Sequence, residues 1–113
     1  MIDRILSKHG EVIAVIDYRA DEDIPYCFSA RILENRFPQE LVALIDEYNS
    51  LVDEGALSLL DEVEERIYAY GLRLTERDEK LFCIRLDDEA SMWFFTRYPT
   101  GGGFVSDYPG TAG

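Results

Sequence analysis

Residues 38–70, PQELVALIDEYNSLVDEGALSLLDEVEERIYAY, decide how the chain reads. Apolar side chains recur at Leu41, Leu44, Ile45, Tyr48, Leu51, Val52, Ala56, Leu59, Leu60, Val63, Ile67 and Tyr70, the rhythm of a helix with one buried stripe. The opposite side carries Glu40, Asp46, Glu47, Asp53, Glu54, Asp61, Glu62, Glu64 and Glu65 against the single base Arg66. Two-thirds of the net charge of −12 therefore rides on this one stretch. The stripe keeps phase through Asp53-Glu54-Gly55, which by itself reads as a stop. Leu41 to Tyr70 is about eight helical turns. The spacing predicts one long helix bent near Gly55, because an interior glycine costs only about 1 kcal/mol. Ser58-x-x-Asp61, which has the form of an N-cap with an acid at N3, marks the alternative of two helices. Pro38 suits a first helical turn, and Phe37 can staple against Leu41.

On the N-terminal side, residues 11–19 (EVIAVIDYR) and 25–32 (PYCFSARI) read as strands joined through the acidic loop Asp21-Glu22-Asp23. Residues 1–10 are ambiguous between a short helical turn ending at Gly10 and an irregular lead-in. On the C-terminal side, Gly71 ends the helix. Residues 72–76, 80–86 and 91–98 read as strands separated by Arg77-Asp78-Glu79 and Asp87-Asp88-Glu89. The expectation is an α+β fold: an antiparallel sheet of about five strands in the order β-β-α-β-β-β, with one amphipathic helix packed on one face. Residues 1–99 form the single domain. Residues 100–113 form a Gly-rich extended or mobile tail whose Phe104, Val105 and Tyr108 can dock.

Val12, Ala14, Ile16, Tyr18, Tyr26, Phe28, Ala30, Ile32, Phe82, Ile84 and Leu86 are assigned to the core face of the sheet. The other face mixes Ile13, Val15, Cys27, Leu81 and Cys83 with Trp93 and Phe95 or Met92 and Phe94, among Arg19, Arg31, Arg85 and Arg97. One helix covers one side of a sheet, so the second side needs its own cover. Ile13, Val15, Arg31, Cys83, Arg85, Trp93 and Phe95 form the candidate self-association face of a homodimer, the chain's own ends being the competing cover.

At 113 residues, 47% hydrophobic and 30% charged, the chain suits one globular domain with a core of its own. Its acidity argues against direct nucleic-acid binding and against an anionic membrane surface, and it admits a basic protein partner or mere solubility. No apolar run is long enough to span a bilayer, and the N-terminus lacks the form of a signal peptide. Two cysteines are too few for a disulfide framework, so the expected compartment is the cytoplasm.

No chemical motif stands out. His9 has no Cys or His at ligand spacing, the acidic turns lack the calcium-loop pattern, and Gly101-Gly102-Gly103 is followed by no Lys-Ser/Thr. Nothing around Cys27 or Cys83 resembles a cysteine-nucleophile segment, and no carboxylate pair is singled out by spacing. The sequence thus predicts no catalytic residues, no metal and no cofactor. It points to a small non-enzymatic inhibitor that covers a basic site on a partner protein, such as a bacterial toxin. Asp46, Glu47, Asp53, Glu54, Asp61, Glu62 and Glu65 would make the contact. Bacterial immunity proteins share that general character, being small, acidic and free of catalytic motifs, although no stretch here matches a named family. The alternatives are a DNA mimic that blocks a DNA-binding protein, and a homodimeric structural or ligand-binding domain whose charge only solubilises.

Overall fold

The computed structural model of the protein describes residues 1–88 and 90–109. It is α+β, with an antiparallel sheet as expected, but the sheet has seven strands rather than five. They are β1 (Ile2–Leu6), β2 (Val12–Ala20), β3 (Cys27–Asn35), β4 (Arg73–Leu74), β5 (Glu79–Lys80), β6 (Phe82–Leu86) and β7 (Ser91–Phe95). Their order across the sheet is β5-β4-β1-β2-β3-β7-β6. A separate hairpin pairs β8 (Tyr98–Thr100) with β9 (Gly103–Val105).

The two edge strands, β5 and β6, are consecutive pieces of one run of chain. Its first half pairs with β4 and its second half with β7. Between them the Leu81 N–H donates to the Leu72 carbonyl at 3.1 Å, carrying the β4 pairing up to the start of β6. The sheet therefore curls nearly into a barrel, which is how an antiparallel sheet avoids leaving edges open. Glu79 to Leu86 is long enough to serve both neighbours because backbone N–H and C=O groups alternate sides along a strand.

The N-terminal residues are a strand, not a helical turn. Buried positions alternate along β1, but one of them is Asp3, which hides the period. Its carboxylate accepts from the Thr75 hydroxyl and from the Glu76 N–H at 3.0 Å, so the acid is buried only because the β4–β5 turn satisfies it.

The single long helix is corrected to two. α1 runs Gln39–Glu54 and α2 runs Leu60–Tyr68, with a 3-10 turn over Leu57–Leu59 between them. Gly55 takes φ +74°, and its N–H and that of Ala56 return to the Val52 and Leu51 carbonyls, a left-handed helix stop. Tertiary packing explains why the shared phase misled. Leu41 and Ile45 of α1 and Val63 and Ile67 of α2 enter one core with Ile5, Ala14, Ile16, Leu74, Met92 and Phe94. Two short helices on the same concave sheet present the same stripe that one long helix would.

Bulges revise the face assignment. Opposite β1, Leu6 pairs with Val12 and Ile5 with Ala14, so Ile13 is the extra residue and turns into the core. A second bulge, between Phe82 and Arg85, holds Cys83 at φ +51°. Cys27 and Leu81, placed on the open face by alternation, are buried, while Tyr26, placed in the core, is 44% exposed. Ala14, Ile16, Tyr18, Phe28, Ile32 and Ile84 are buried in the core as expected, Phe82 is buried outside it, opposite Phe95 and against Tyr68 and Tyr98, and Val12, Ala30 and Leu86 are half-buried. The expected boundary at residues 99–100 falls inside β8, so the tail's described part completes the β8–β9 hairpin, and Tyr108 docks at 5% exposure; residues 110–113 lie outside the described residues.

Two glycines test this backbone. At Gly55 a Cβ would meet open space, so Gly55→Ala should cost only the left-handed strain, about 1–2 kcal/mol. At Gly71, φ +63°, a Cβ would sit 2.7 Å from the Lys8 Cβ, so Gly71→Ala should cost distinctly more in urea unfolding. Equal losses would contradict the close packing of the α2 exit on the β1–β2 turn.

Candidate functional site

Because α1 and α2 turn their apolar stripes inward, their other flank faces solvent. Asp46, Glu47, Asp53 and Glu54 on α1 and Asp61, Glu62 and Glu65 on α2 are all exposed. Asp53 meets Arg85 at 3.3 Å and Glu62 meets Arg66 at 2.9 Å, while Asp61 accepts from the Tyr108 hydroxyl at 3.4 Å. Asp46, Glu47, Glu54 and Glu65 form no ion pair among the described residues. Asp61 and Glu62 occupy the first turn of α2, where the helix dipole favours them. Asp53 and Glu54 sit at the opposite kind of end, the last turn of α1, which has no basic residue. There the dipole opposes them, by about 0.3–1 kcal/mol each. Asp53 is offset by its pairing with Arg85, whereas Glu54 has no such offset among the described residues.

Glu64 behaves differently from its neighbours. It is 3% exposed, and its Oε2 accepts from the Tyr98 hydroxyl at 2.8 Å and from the Tyr68 hydroxyl at 3.3 Å. The Tyr68 oxygen in turn accepts from the Cys83 N–H at 3.2 Å, and the Tyr48 hydroxyl donates to the Cys83 Sγ at 3.9 Å. Tyr68, Tyr98 and Tyr108 pack ring against ring, with Phe82 against the first two. Burial pushes the Glu64 carboxyl above the usual glutamate range, the two tyrosine bonds pulling the other way. Burial also raises the Cys83 thiol to about 11, and the Tyr48, Tyr68 and Tyr98 hydroxyls rise for the same reason. A thiol so raised is protonated at neutral pH and is a poor nucleophile. The cluster acts as a clamp, joining α1, α2, β6 and the C-terminal hairpin through one carboxylate and three phenols.

Trp93 and Arg31 are exposed on the outer face of β3 and β7, in a groove of about 750 Å³ that Asp17, Arg19, Ser29 and Ser91 also line. The other residues of the expected self-association face are dispersed. Ile13 is in the core, and Val15 is half-buried. Arg85 stands opposite Trp93 across β6 and β7 but pairs with Asp53 of α1, and Cys83 lies against the tyrosine clamp. Phe95 stacks on Phe104 of the hairpin, ring centroids 6.2 Å apart. On β6 and β7 the chain's own C-terminal segment thus covers the outer face, leaving Arg31 and Trp93 open to solvent.

Sequence reasoning missed the loop between the helices. Leu57 is 64% exposed, Leu59 57% and Val52 40%. The helical spacing assigns Leu59 and Val52 to the buried stripe. The signal available was Gly55 itself, whose left-handed preference ends the helical phase. His9 is exposed on the β1–β2 turn, and no group of three or more metal-ligating side chains gathers among the described residues. No helix among them is long and apolar enough to cross a membrane. Comparison with protein-family models, with curated proteins and with solved structures finds no match.

The clamp predicts an unusual pH response. Because folding raises the Glu64 pKa, the folded state holds this proton more tightly than the unfolded chain. Its contribution is therefore fully present below the unfolded value and is lost as pH rises through the folded one. Glu64→Gln, whose single carbonyl can still accept from both phenols, should gain stability relative to the wild type as pH rises from about 4.5 to 8. Glu64→Ala should lose roughly 1–3 kcal/mol at acidic pH by stranding the phenols, a loss that narrows as pH rises and the wild-type contribution fades. A wild-type-minus-Gln difference that stays flat with pH would refute the burial argument.

Proposed function

We propose that this protein is a non-enzymatic inhibitor, of the immunity type, that covers a basic site on a partner protein with the exposed carboxylates of α1 and α2. The observation that carries the reading is the uncompensated charge of that layer. The seven acids face solvent, five form no ion pair among the described residues, and one of those five, Glu54, stands where the α1 dipole opposes it. Charge kept at a cost to the fold is expected where a surface serves recognition. The acids attract a basic partner from a distance and speed its encounter. On contact, they replace the anions or substrate phosphates that the partner's basic site would otherwise hold.

The DNA-mimic alternative is less well supported by the geometry. It calls for carboxylates along one long face, and α1 stops at Gly55 before α2 begins. A homodimer through the outer sheet is left with little more than Arg31 and Trp93, because Ile13, Cys83 and Phe95 are occupied within the chain.

The test uses the intact chain and a variant with Asp46, Glu47, Glu54 and Glu65 changed to Asn or Gln, both as bait. The wild type should retain a strongly basic protein that the variant loses. Its association rate in stopped flow should fall at least about tenfold from 50 to 500 mM salt. Equal retention by both baits, or a rate indifferent to salt, would end the proposal. The same charge gives a stability prediction: Glu54→Lys should raise unfolding stability by about 0.5 kcal/mol while slowing association.

A further inference from the structure

The loop between the two helices exposes apolar surface that the fold does not need. Once Gly55 ends α1, the stretch 56–60 leaves the phase of the buried stripe. Leu57 and Leu59 then stand 64% and 57% exposed and Val52, in the last turn of α1, 40%, while Leu51, Ala56 and Leu60 are half-buried. A leucine in water forgoes most of the stabilisation that burial would give it. Three exposed large aliphatics, in the last turn of α1 and the 3-10 turn that follows it, are therefore not explained by packing. Around them lie Asp53 and Glu54 at the end of α1 and Asp61 and Glu62 at the start of α2. An apolar centre inside a charged rim is the anatomy of a protein interface.

We propose that this elbow is the insertion anchor of the acidic face. Leu57 and Leu59 enter an apolar recess on the partner protein, and the four carboxylates meet Lys and Arg side chains around its mouth. Charge complementarity selects this occupant. An anionic membrane would be repelled by the rim. A second copy would have to bring its own acidic elbow against this one, or offer a sheet face whose Arg19 and Arg31 are interspersed with Asp17 and Asp21. The inference rests on the acidic layer being the recognition face and adds a division of labour. The carboxylates set the rate of encounter, and the leucines set how long the complex lasts.

The test uses two synthetic peptides of equal composition, rich in Leu, Lys and Arg. One is arranged as an amphipathic helix with a leucine stripe between basic flanks, and the other is scrambled to destroy the stripe. Binding is followed by calorimetry and by methyl NMR on the full chain. The amphipathic peptide should bind at least about tenfold more tightly than the scrambled one, with shifts centred on the methyls of Val52, Leu57 and Leu59. The double variant Leu57→Ser/Leu59→Ser should fall to the scrambled level for both peptides. Its thermal midpoint and the salt dependence of binding should be unchanged, which separates a lost anchor from a lost fold. Salt-sensitive binding that is equal for both peptides, or undiminished in the double variant, would overturn the anchor and leave the acidic face standing. Absence of binding by either peptide at low salt would remove both. A wild-type dimer that the double variant converts to monomer would assign the elbow to self-association and overturn the proposal.

Discussion

One backbone hydrogen bond, from the Leu81 N–H to the Leu72 carbonyl, marks the constraint on which the rest of the structure depends. It lies where a single run of chain changes partners, from β4 on one side to β7 on the other. Sharing that run lets a sheet of seven strands close nearly on itself. The closure demands a concave interior, and α1 and α2 supply the side chains that fill it. Leu41, Ile45, Val63 and Ile67 are nearly inaccessible because the sheet wraps round them. The polar flank of both helices must then face out, and the acids follow from that. The edge of β6 is held as well: the Asn49 side chain donates to the Ile84 carbonyl at 3.2 Å from α1.

The same closure leaves the outer face of β6 and β7 without a helix to cover it. The C-terminal hairpin supplies the cover, with Phe104 on Phe95 and Tyr98 on Phe82. Glu64 fixes it in place, since the carboxylate from α2 is the acceptor for Tyr98 of the hairpin. A buried carboxyl with two phenolic donors is a demanding arrangement, stable only while every member is paired. It separates Glu64 from the other acids of the helical segment: Glu64 is buried and structural, and Asp46, Glu47, Glu54 and Glu65 are exposed without an ion pair among the described residues.

Much of the fold was legible in the sequence because its signals are local. The β-branched run of β2, the alternation of β3 and the acidic turn between them need only their own residues to be read. The helical stripe was legible too, but its continuity was not. A shared phase is evidence that residues pack on one core and does not require one helix, and Gly55 at φ +74° interrupts the backbone without disturbing that core. The bulges at Ile13 and Cys83 were hidden because each inserts a residue by a register shift that only the partner strand defines. Strand β1 was hidden because its buried Asp3 is satisfied by Glu76, which lies far along the chain. At the candidate site the exposed acids were readable from the helical wheel. The burial of Glu64 was not, since it depends on Tyr98 and Tyr68 arriving from the hairpin and from the next turn. The exposed leucines of the elbow became visible only once the helix was known to stop.

Amide hydrogen exchange at Leu81 tests the closure most directly. If the shared strand holds the sheet together, this amide opens only with global unfolding, at the same free energy as the core amides of Ile16 and Phe94. Exchange of residues 79–86 through a lower-energy opening, with β1, β2 and β3 still protected, would contradict it. The strand would then be an appendage, and the placement of the helices would need another cause.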